Sequence, residues 1–341
     1  MLRALLLLSL SLLLGACGQL ALDLSPIPGR PLPPDACVPM RETSAQALPA
    51  PSGVGVWEGA GWELRARESC RPVVAVLDSG IAPHPDLPEV GSAWNATSSG
   101  DPREDEGGHG TSVAGVLAAL TGNGIGVASI SWNTGELLLE SVKVIPGNTL
   151  TVAKGLEYAR KSGALVVNMS LCLSDSNGEC LRAPGVEDAY FERVLARAAA
   201  AGVTLVASAG NEGREGVSYP ASSNRVLAVG SVNSRGALSR FSNYGPRLEF
   251  VAPGEEVLAP LAGGSYGYRQ GTSFAAPFVA GEVALYARKF FALEGRSPTP
   301  SEVRRCLRAS GERAGNPDPR YGYGVPLLDR VLDPGNQDCY P

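Results

Sequence analysis

Short, continuous runs of apolar residues recur along the chain, and each is bounded by turn-forming residues. A strand that is buried on both faces of a parallel sheet has this uninterrupted apolar pattern, whereas a half-exposed strand alternates. The runs predict strands within residues 72–80, 136–145, 164–171, 203–213, 225–232 and 248–254.

Between these runs, other segments have the composition and spacing of helices. They lie within residues 110–120, 149–163, 186–202, 272–295 and 299–310. Predicted strands and helices alternate throughout the chain. This alternation predicts one α/β domain in three layers, with a mostly parallel central sheet flanked by helices.

The N-terminus has one arginine, an apolar stretch from Ala4 to Leu14, and then small residues. This pattern is typical of a secretory signal peptide and is too short for a comfortable membrane span. The sequence LGAC, which ends at Cys17, resembles the cleavage box of bacterial lipoproteins. In those proteins the signal is removed before a cysteine that then carries lipid. We therefore expect a signal peptide at residues 1–16 and a lipid on Cys17; an ordinary signal peptide cut nearby is the alternative.

Composition divides the rest of the chain into three parts. Residues 17–53 are rich in Pro, Ala and Ser, which indicates an extended tether. Residues 54–335 carry the α/β pattern, and residues 336–341 form a short C-terminal tail. With the signal and the lipid, this order predicts an exported protein anchored to a membrane, facing the periplasm or the cell exterior, and we expect a monomer.

The chain contains seven cysteines, so six remain if Cys17 is lipidated. An even number in an exported protein indicates disulfides rather than a metal site, and no metal-binding spacing is present. Pairing in sequence order predicts Cys37–Cys70, Cys172–Cys180 and Cys306–Cys339. Only the short-loop pair is firmly indicated, and other pairings of the remaining four stay open.

The 341 residues are 44% hydrophobic and carry a net charge of −5, with no long basic run. This balance is typical of a globular protein and gives no indication of a nucleic-acid surface. Only two histidines are present, His84 and His109, so any histidine-dependent chemistry must use one of them.

Four polar residues lie where predicted strands end or helices begin. Asp78 ends the first strand, Asn211 follows a later strand, and His109 and Ser273 each begin a helix. In open α/β sheets, ligands bind beyond the carboxyl ends of the strands. The sequence therefore gathers a carboxylate, an imidazole, an amide and a hydroxyl at one edge of the sheet.

These groups suit hydrolysis by a hydroxyl nucleophile, because a histidine can take the hydroxyl proton and a carboxylate can orient the histidine. Each residue also has a simpler interpretation. Ser273 and Asp78 could be caps, while His109 and Asn211 could be turn residues. The order Asp, His, Ser differs from that of α/β-hydrolases, and Ser273 lacks the second glycine of their G-x-S-x-G motif.

Four motifs resemble those of the subtilase, or subtilisin-like serine peptidase, family: VAVLDSGI around Asp78, GGHGTSVAGV around His109, SAGNEG around Asn211 and GTSFAAPFVAG around Ser273. The resemblance extends over about residues 54–330. It implies a subtilisin-like fold and a serine endopeptidase that needs no cofactor for its chemistry. It also implies that Ser273 is the nucleophile, His109 the general base and acid, and Asp78 its orienting carboxylate. The side chain of Asn211 and the N–H of Ser273 would form the oxyanion hole.

The resemblance also implies a substrate cleft beside the segments NMSLCLS and VASAGNEG. Its candidate substrate-binding residues are Ser170, Leu171, Cys172, Ala209 and Gly210. Many relatives have glycines where this chain has Cys172 and Leu173, and we expect these bulkier residues to narrow or reshape the cleft.

Three further residues near these motifs have expected roles. Ser112 stands where many subtilases carry a second histidine, and we expect this difference to affect the chemistry little. Pro277 is expected near a helix start, where a missing N–H matters least. His84 is expected to be structural.

A calcium site is a further implication of the resemblance. Its ligands would be the carboxylate of Asp86, the side chain of Asn123, and the carbonyls of Leu120, Ile125 and Val127, an oxygen set that suits calcium. A glycine-rich loop beside a surface aspartate is the alternative.

The sequence thus predicts an exported, lipid-anchored serine endopeptidase that acts on peptides or proteins. A catalytically silent peptide-binding relative, an esterase that uses the same site, and a maturation protease dedicated to one partner are the alternatives. We expect activity to rise with pH as His109 loses its proton, near 6.5 for an unperturbed side chain.

Overall fold

A computed structural model of the chain describes residues 36–37, 70–97, 100–131, 137–182 and 189–341. The predicted signal peptide, Cys17 and nearly all of the predicted tether lie outside these residues. The part described contains nine strands and six helices. The strands are β1 (Val73–Asp78), β2 (Val90–Asn95), β3 (Leu138–Lys143), β4 (Val166–Met169), β5 (Thr204–Ser208), β6 (Val226–Val232), β7 (Phe250–Pro253), β8 (Val257–Pro260) and β9 (Tyr266–Arg269). The helices are α1 (His109–Ala118), α2 (Thr149–Lys161), α3 (Ala189–Ala200), α4 (Thr272–Glu294), α5 (Pro300–Ser310) and α6 (Leu328–Val331).

Seven strands form one parallel sheet in the order β2-β3-β1-β4-β5-β6-β7. Strand β1 lies near its centre, paired with β3 on one side and β4 on the other. The predicted α/β fold with a parallel central sheet is therefore confirmed. Since all seven strands run the same way, their carboxyl ends share one edge.

The two faces of the sheet are covered by different helices. Val74 and Val76 of β1 pack into an apolar cluster with helices α1, α4 and α5. Ala75 and Leu77 point to the other face, into a cluster with helices α2 and α3. Successive side chains of a strand alternate between faces, so a strand buried on both sides must be apolar throughout. This packing explains the continuous apolar runs.

The sequence pattern did not indicate strand β2, the β8–β9 hairpin or helix α6. Strand β2 (VGSAWN) is an edge strand that is half exposed, so it lacks a continuous apolar run. Strands β8 and β9 form a separate antiparallel pair of four residues each. Elements this short carry too few residues for a periodic signal.

Three disulfides join the pairs predicted from sequence order: Cys37–Cys70, Cys172–Cys180 and Cys306–Cys339. The last of these fastens the C-terminal residues to α5. The hydroxyl of Tyr286 donates to the carbonyl of Cys339 at 2.7 Å, and Tyr340 is buried beside it. The C-terminal residues thus pack against the domain. Among the described residues, no helix is both long and apolar enough to cross a membrane.

Candidate active site

Asp78 and His109 are joined at the carboxyl edge of the sheet. Asp78 is the last residue of β1 and is fully buried, and His109 is the first residue of α1. The Nδ1 atom of His109 lies 2.7 Å from Oδ1 of Asp78. The same carboxylate oxygen accepts the backbone N–H of Ser79 at 2.7 Å. A proton on Nδ1 would therefore be held by Asp78, which leaves Nε2 as the free nitrogen of the ring.

A second buried carboxylate, Asp105, fixes the first turn of α1, and the sequence motifs did not single it out. Its Oδ2 accepts the backbone N–H of Thr111 at 2.8 Å and the Thr111 hydroxyl at 2.6 Å. Its Oδ1 accepts the hydroxyl of Ser79 at 2.7 Å. Carboxylates stabilise helix N-termini by satisfying free N–H groups there. Asp105 therefore positions the helix that presents His109.

The environment of His109 raises its pKa above the ordinary 6.5. Burial works in the opposite direction and lowers the pKa, but the charge of Asp78 and its hydrogen bond outweigh burial. The charge of Asp105 adds to the increase, and the charge of Arg269 reduces it.

Ser273 is the second residue of α4, behind the N-cap residue Gly271. Its backbone N–H is therefore among those at a helix start that have no intrahelical partner. Its hydroxyl makes a long hydrogen bond of 3.3 Å to the carbonyl of Ser170. The ring of Phe274, the next residue, lies 5.4 Å from the ring of His109, centroid to centroid. His109 thus faces the first turn of α4, although no hydrogen bond joins it to Ser273 in this conformation.

The side-chain amide of Asn211 is anchored at the start of the same helix. Its Oδ1 accepts the backbone N–H of Thr272 at 2.8 Å and the Thr272 hydroxyl at 2.9 Å. With the oxygen fixed in this way, Nδ2 makes no hydrogen bond to any residue within the described ranges. The exposed Asn211 therefore presents an N–H donor next to Ser273.

Pro277 lies near the start of α4 as expected, but as its sixth residue it is past the first N–H groups that have no partner within the helix. In a regular helix the N–H of residue 277 would bond to the carbonyl of Ser273, and proline has no N–H. The hydroxyl of Ser170 supplies the missing donor at 2.7 Å. The amide of Asn168 in turn donates to the Ser170 hydroxyl at 2.9 Å.

The predicted substrate-binding residues border Ser273 on the side of β4 and β5. Ser170 contacts Ser273 directly, and Ala209 and Gly210 precede Asn211. The backbone N–H of Gly210 donates to the hydroxyl of Thr272 at 3.2 Å. These segments therefore form a wall that is hydrogen-bonded to the start of α4.

The two bulkier residues of that wall, Cys172 and Leu173, differ in their environment. Leu173 is buried, like Leu171, and packs in the same apolar cluster as Tyr219, away from solvent. Cys172 is half-buried and bonded to Cys180. Leu173 thus fills the core instead of narrowing an open cleft.

The predicted calcium ligands are paired with one another. Both carboxylate oxygens of the buried Asp86 accept hydrogen bonds, one from the amide of Asn123 at 2.7 Å and one from the N–H of Val127 at 2.8 Å. Burial and the charge of the nearby Asp86 raise the pKa of the Tyr266 hydroxyl. The side-chain oxygen of Asn123 accepts the N–H of Ile125 at 3.1 Å. This arrangement offers donors to Asp86 where calcium would need oxygens, so the side chains of Asp86 and Asn123 as placed do not fit the ion.

The remaining residues of that region have structural contacts. The backbone N–H of Leu120 donates to the carbonyl of Asp86 at 2.8 Å. The ring of His84 accepts the N–H of Asp86 and contacts the carbonyl of Ser265. Across the described ranges, no group of three or more His, Cys, Asp or Glu residues is placed to hold a metal ion.

The carboxyl edge of this parallel sheet holds an Asp–His pair that faces a serine at a helix start. This arrangement is typical of α/β proteins with an Asp–His–Ser triad. Within that class, the chain belongs to the subtilase family, whose model matches residues 71–324. The matched residues include Asp78, His109, Asn211 and Ser273.

Named relatives of the chain are proteases. It is 39% identical over 256 residues to a thermostable alkaline protease of Halalkalibacterium halodurans, covering 74% of this chain and 65% of that protein. It is 37% identical over 265 residues to subtilisin amylosacchariticus of Bacillus subtilis subsp. amylosacchariticus, covering 75% and 64%. It is 35% identical over 289 residues to an alkaline protease of Alkalihalobacillus alcalophilus, covering 83% and 70%. The chain thus spans slightly less than two thirds of the first two of these relatives.

Proposed function

We propose that the chain is a serine endopeptidase that hydrolyses peptide bonds through an acyl-enzyme. The observation that carries the proposal is the 2.7 Å contact between His109 Nδ1 and Asp78 Oδ1. It supports a tautomer in which Nε2 is free to accept a proton, on a ring that faces the helix start bearing Ser273. Family membership and the proteases among the relatives support the same activity.

In the proposed reaction, rotation about the Cα–Cβ bond of Ser273 turns Oγ from the carbonyl of Ser170 toward His109. Catalytic hydrogen bonds are often long in the free enzyme and shorten when substrate binds. His109 takes the hydroxyl proton as Oγ attacks the scissile carbonyl, and it then gives that proton to the departing amine. Water, activated by the same histidine, releases the acyl group from Ser273. This chemistry needs no cofactor.

The oxyanion of each tetrahedral intermediate would be held by the Nδ2 group of Asn211 and the backbone N–H of Ser273. Both donors are fixed before substrate arrives, Asn211 by Thr272 and Ser273 by α4. Donors that need no reorganisation stabilise developing charge most effectively, and the positive end of the helix dipole adds to this effect.

Active-site labelling tests the proposal. We expect the protein without its signal peptide to react with an organofluorophosphate at Ser273 and to cleave an unstructured protein substrate. The matched Ser273→Ala variant should do neither. Binding of peptides without labelling or cleavage would favour a silent relative, and turnover of esters but not peptides would favour an esterase. Cleavage of a single protein only would indicate a dedicated maturation protease.

We also propose that the protein is exported, anchored through lipid on Cys17, and monomeric. The three disulfides support an oxidising compartment, where such bonds persist. Metabolic labelling with a radioactive fatty acid should mark the wild type but not Cys17→Ala, which should appear in the soluble fraction. A wild type that takes up no label would overturn the anchor without affecting the proposed chemistry.

A further inference from the structure

An arginine lies over the first turn of α1, beside the candidate general base. The Nε of Arg269, at the end of β9, donates to the hydroxyl of Ser112 at 3.1 Å. Its Nη2 lies close to Gly108, the residue before His109. A Cβ built on Gly108 would be 3.5 Å from this nitrogen. Arg269 is half-buried. Its guanidinium is thus held over the turn that begins with His109.

Ser112 makes this position possible. Its hydroxyl lies 2.9 Å from the carbonyl of Gly108 and 2.7 Å from that of Pro260, so the oxygen can accept from Arg269 while its proton bonds to a carbonyl. Ser112 therefore fixes the Nε side of the guanidinium against the first turn of α1.

The charge of Arg269 is not neutralised locally. No carboxylate within the described ranges forms an ion pair with it. Asp78 and Asp105, the acidic groups that act on His109, accept hydrogen bonds from Ser79, Thr111 and His109 itself. A partly buried guanidinium that has free N–H donors binds carboxylates well.

The position of Arg269 determines which residues of a bound substrate would lie close to it. Ser170 and Asn211 border Ser273 from the ends of β4 and β5, whereas His109 approaches from the side of β1 and α1. In the proposed function, on which this inference rests, His109 protonates the departing amine. The residues that follow the scissile bond therefore leave along the side where Arg269 lies.

We propose that Arg269 is a specificity-determining residue, which binds an acidic side chain on the first or second substrate residue after the scissile bond. The ligand is thus a carboxylate of Asp or Glu on the leaving side of the peptide. Ser112 acts as the positioning residue that holds the guanidinium in place.

Matched peptides with Glu, Gln or Lys at each of these two positions test the proposal. For the wild type at low ionic strength, we expect kcat/KM for the preferred Glu peptide to exceed that for the Gln peptide by about tenfold, as for a charge-assisted hydrogen bond. The ratio should fall as salt is added, because salt screens a partly exposed ion pair. This measurement needs no variant, so it stays decisive if a substitution disturbs folding.

Variants then assign the preference to Arg269. Arg269→Gln should bring the Glu-to-Gln ratio close to one, and Arg269→Glu should make the Lys peptide the preferred substrate. The matched control is Arg225→Gln, which removes an arginine directly before β6, at the opposite edge of the sheet. The control should keep the wild-type ratio. A charge reversal that follows the substrate charge cannot arise from a merely structural role.

The acid limb of the pH profile gives a second readout. Asp78 and Asp105 raise the pKa of His109, and Arg269 lowers it. Arg269→Gln should therefore move the rise of kcat/KM to higher pH. A wild type with no preference for Glu, or a preference that Arg269→Gln retains, would overturn the inference. If the Gln peptides are cleaved in that case, the proposed function stands; if the wild type cleaves no peptide, the proposed function itself fails.

Discussion

The hydroxyl of Ser170 donates a 2.7 Å hydrogen bond to the main-chain carbonyl of Ser273, a residue 103 positions further along the chain. Pro277 leaves this carbonyl without its regular helical donor and, through its ring, crowds the carbonyl outward. Ser170 therefore replaces a backbone bond inside the turn that carries the proposed nucleophile. The wall of the cleft and the nucleophile are coupled through this contact.

We expect Ser170→Ala to lower the free energy of unfolding by about 1–3 kcal/mol, because it leaves a partly buried carbonyl without a donor. Pro277→Ala restores an N–H that can bond to the carbonyl of Ser273. In the Pro277→Ala background, the loss caused by Ser170→Ala should therefore be smaller. Denaturant unfolding of the two single variants and the double variant measures this coupling. Strictly additive effects would contradict the replacement of one donor by the other.

Asn211→Ala should lower kcat by about 10²–10³, the loss seen in subtilisin when an oxyanion-hole amide is removed, with a much smaller change in KM. The amide acts on charge that develops only in the transition state. Steady-state kinetics with one peptide substrate measures both constants. Thr272→Val is a useful comparison, since it removes only the hydroxyl that helps to fix Oδ1 of Asn211, and it should cost less. An increase in KM with unchanged kcat would assign Asn211 to ground-state binding.

The kcat/KM of the wild type should rise through an apparent pKa above 6.5, because His109 must be neutral to act as a base and its pKa is raised. Asp105→Asn removes a charge that raises this pKa, so it should move the rise to lower pH. Glu106→Gln, which removes the exposed carboxylate next in sequence, serves as the control and should leave the profile in place. If Asp105→Asn moved the rise of kcat/KM to higher pH, the Asp105 charge would not be raising the pKa of His109.

Calcium should change the melting temperature little. The carboxylate of Asp86 already accepts hydrogen bonds from Asn123 and Val127, so a cation would have to displace these donors. Melting curves in chelator and across a calcium titration measure the effect. Asn123→Ala should lower the melting temperature in both conditions, because Asp86 loses a donor. A saturable increase with calcium would establish the metal site expected from the family resemblance.

Glu282→Gln should stabilise the protein relative to the wild type as pH rises. Glu282 is fully buried in α4, and burial raises its pKa well above 4.5. The folded state therefore binds a proton that the unfolded state releases, so the wild type loses stability as pH rises from about 4.5 toward the folded pKa. An uncharged amide does not suffer this loss.

The measurement is the free energy of unfolding of both proteins at about pH 5 and pH 8. Glu294→Gln, at the half-buried end of the same helix, is the matched control and should show a much smaller dependence on pH. An equal difference between Glu282→Gln and the wild type at both pH values would show that Glu282 is not buried as a neutral acid.

Much of the fold followed from the sequence, because burial on both faces of a parallel sheet forces a continuous apolar run, as in VVAVLD. The same runs fixed where Asp78 and Asn211 stand, since Asp78 ends a strand and Asn211 follows one. Strand β2 and the β8–β9 hairpin escaped prediction because they are short or half-exposed. The hairpin carries Arg269, so the proposed specificity residue lay in a segment without a periodic signal.

The sequence by itself determined the residues of the candidate site and the edge of the sheet on which they lie, because strand ends and helix starts are local properties. Tertiary structure alone decided the contacts around these residues: Asp105 with Thr111 and Ser79, Ser170 with Ser273, Asn211 with Thr272, and Arg269 with Ser112. It also decided that Asp86 faces hydrogen-bond donors. Most of these pairs are far apart in the chain. Their meeting depends on strand order and helix packing, which no local pattern of residues encodes.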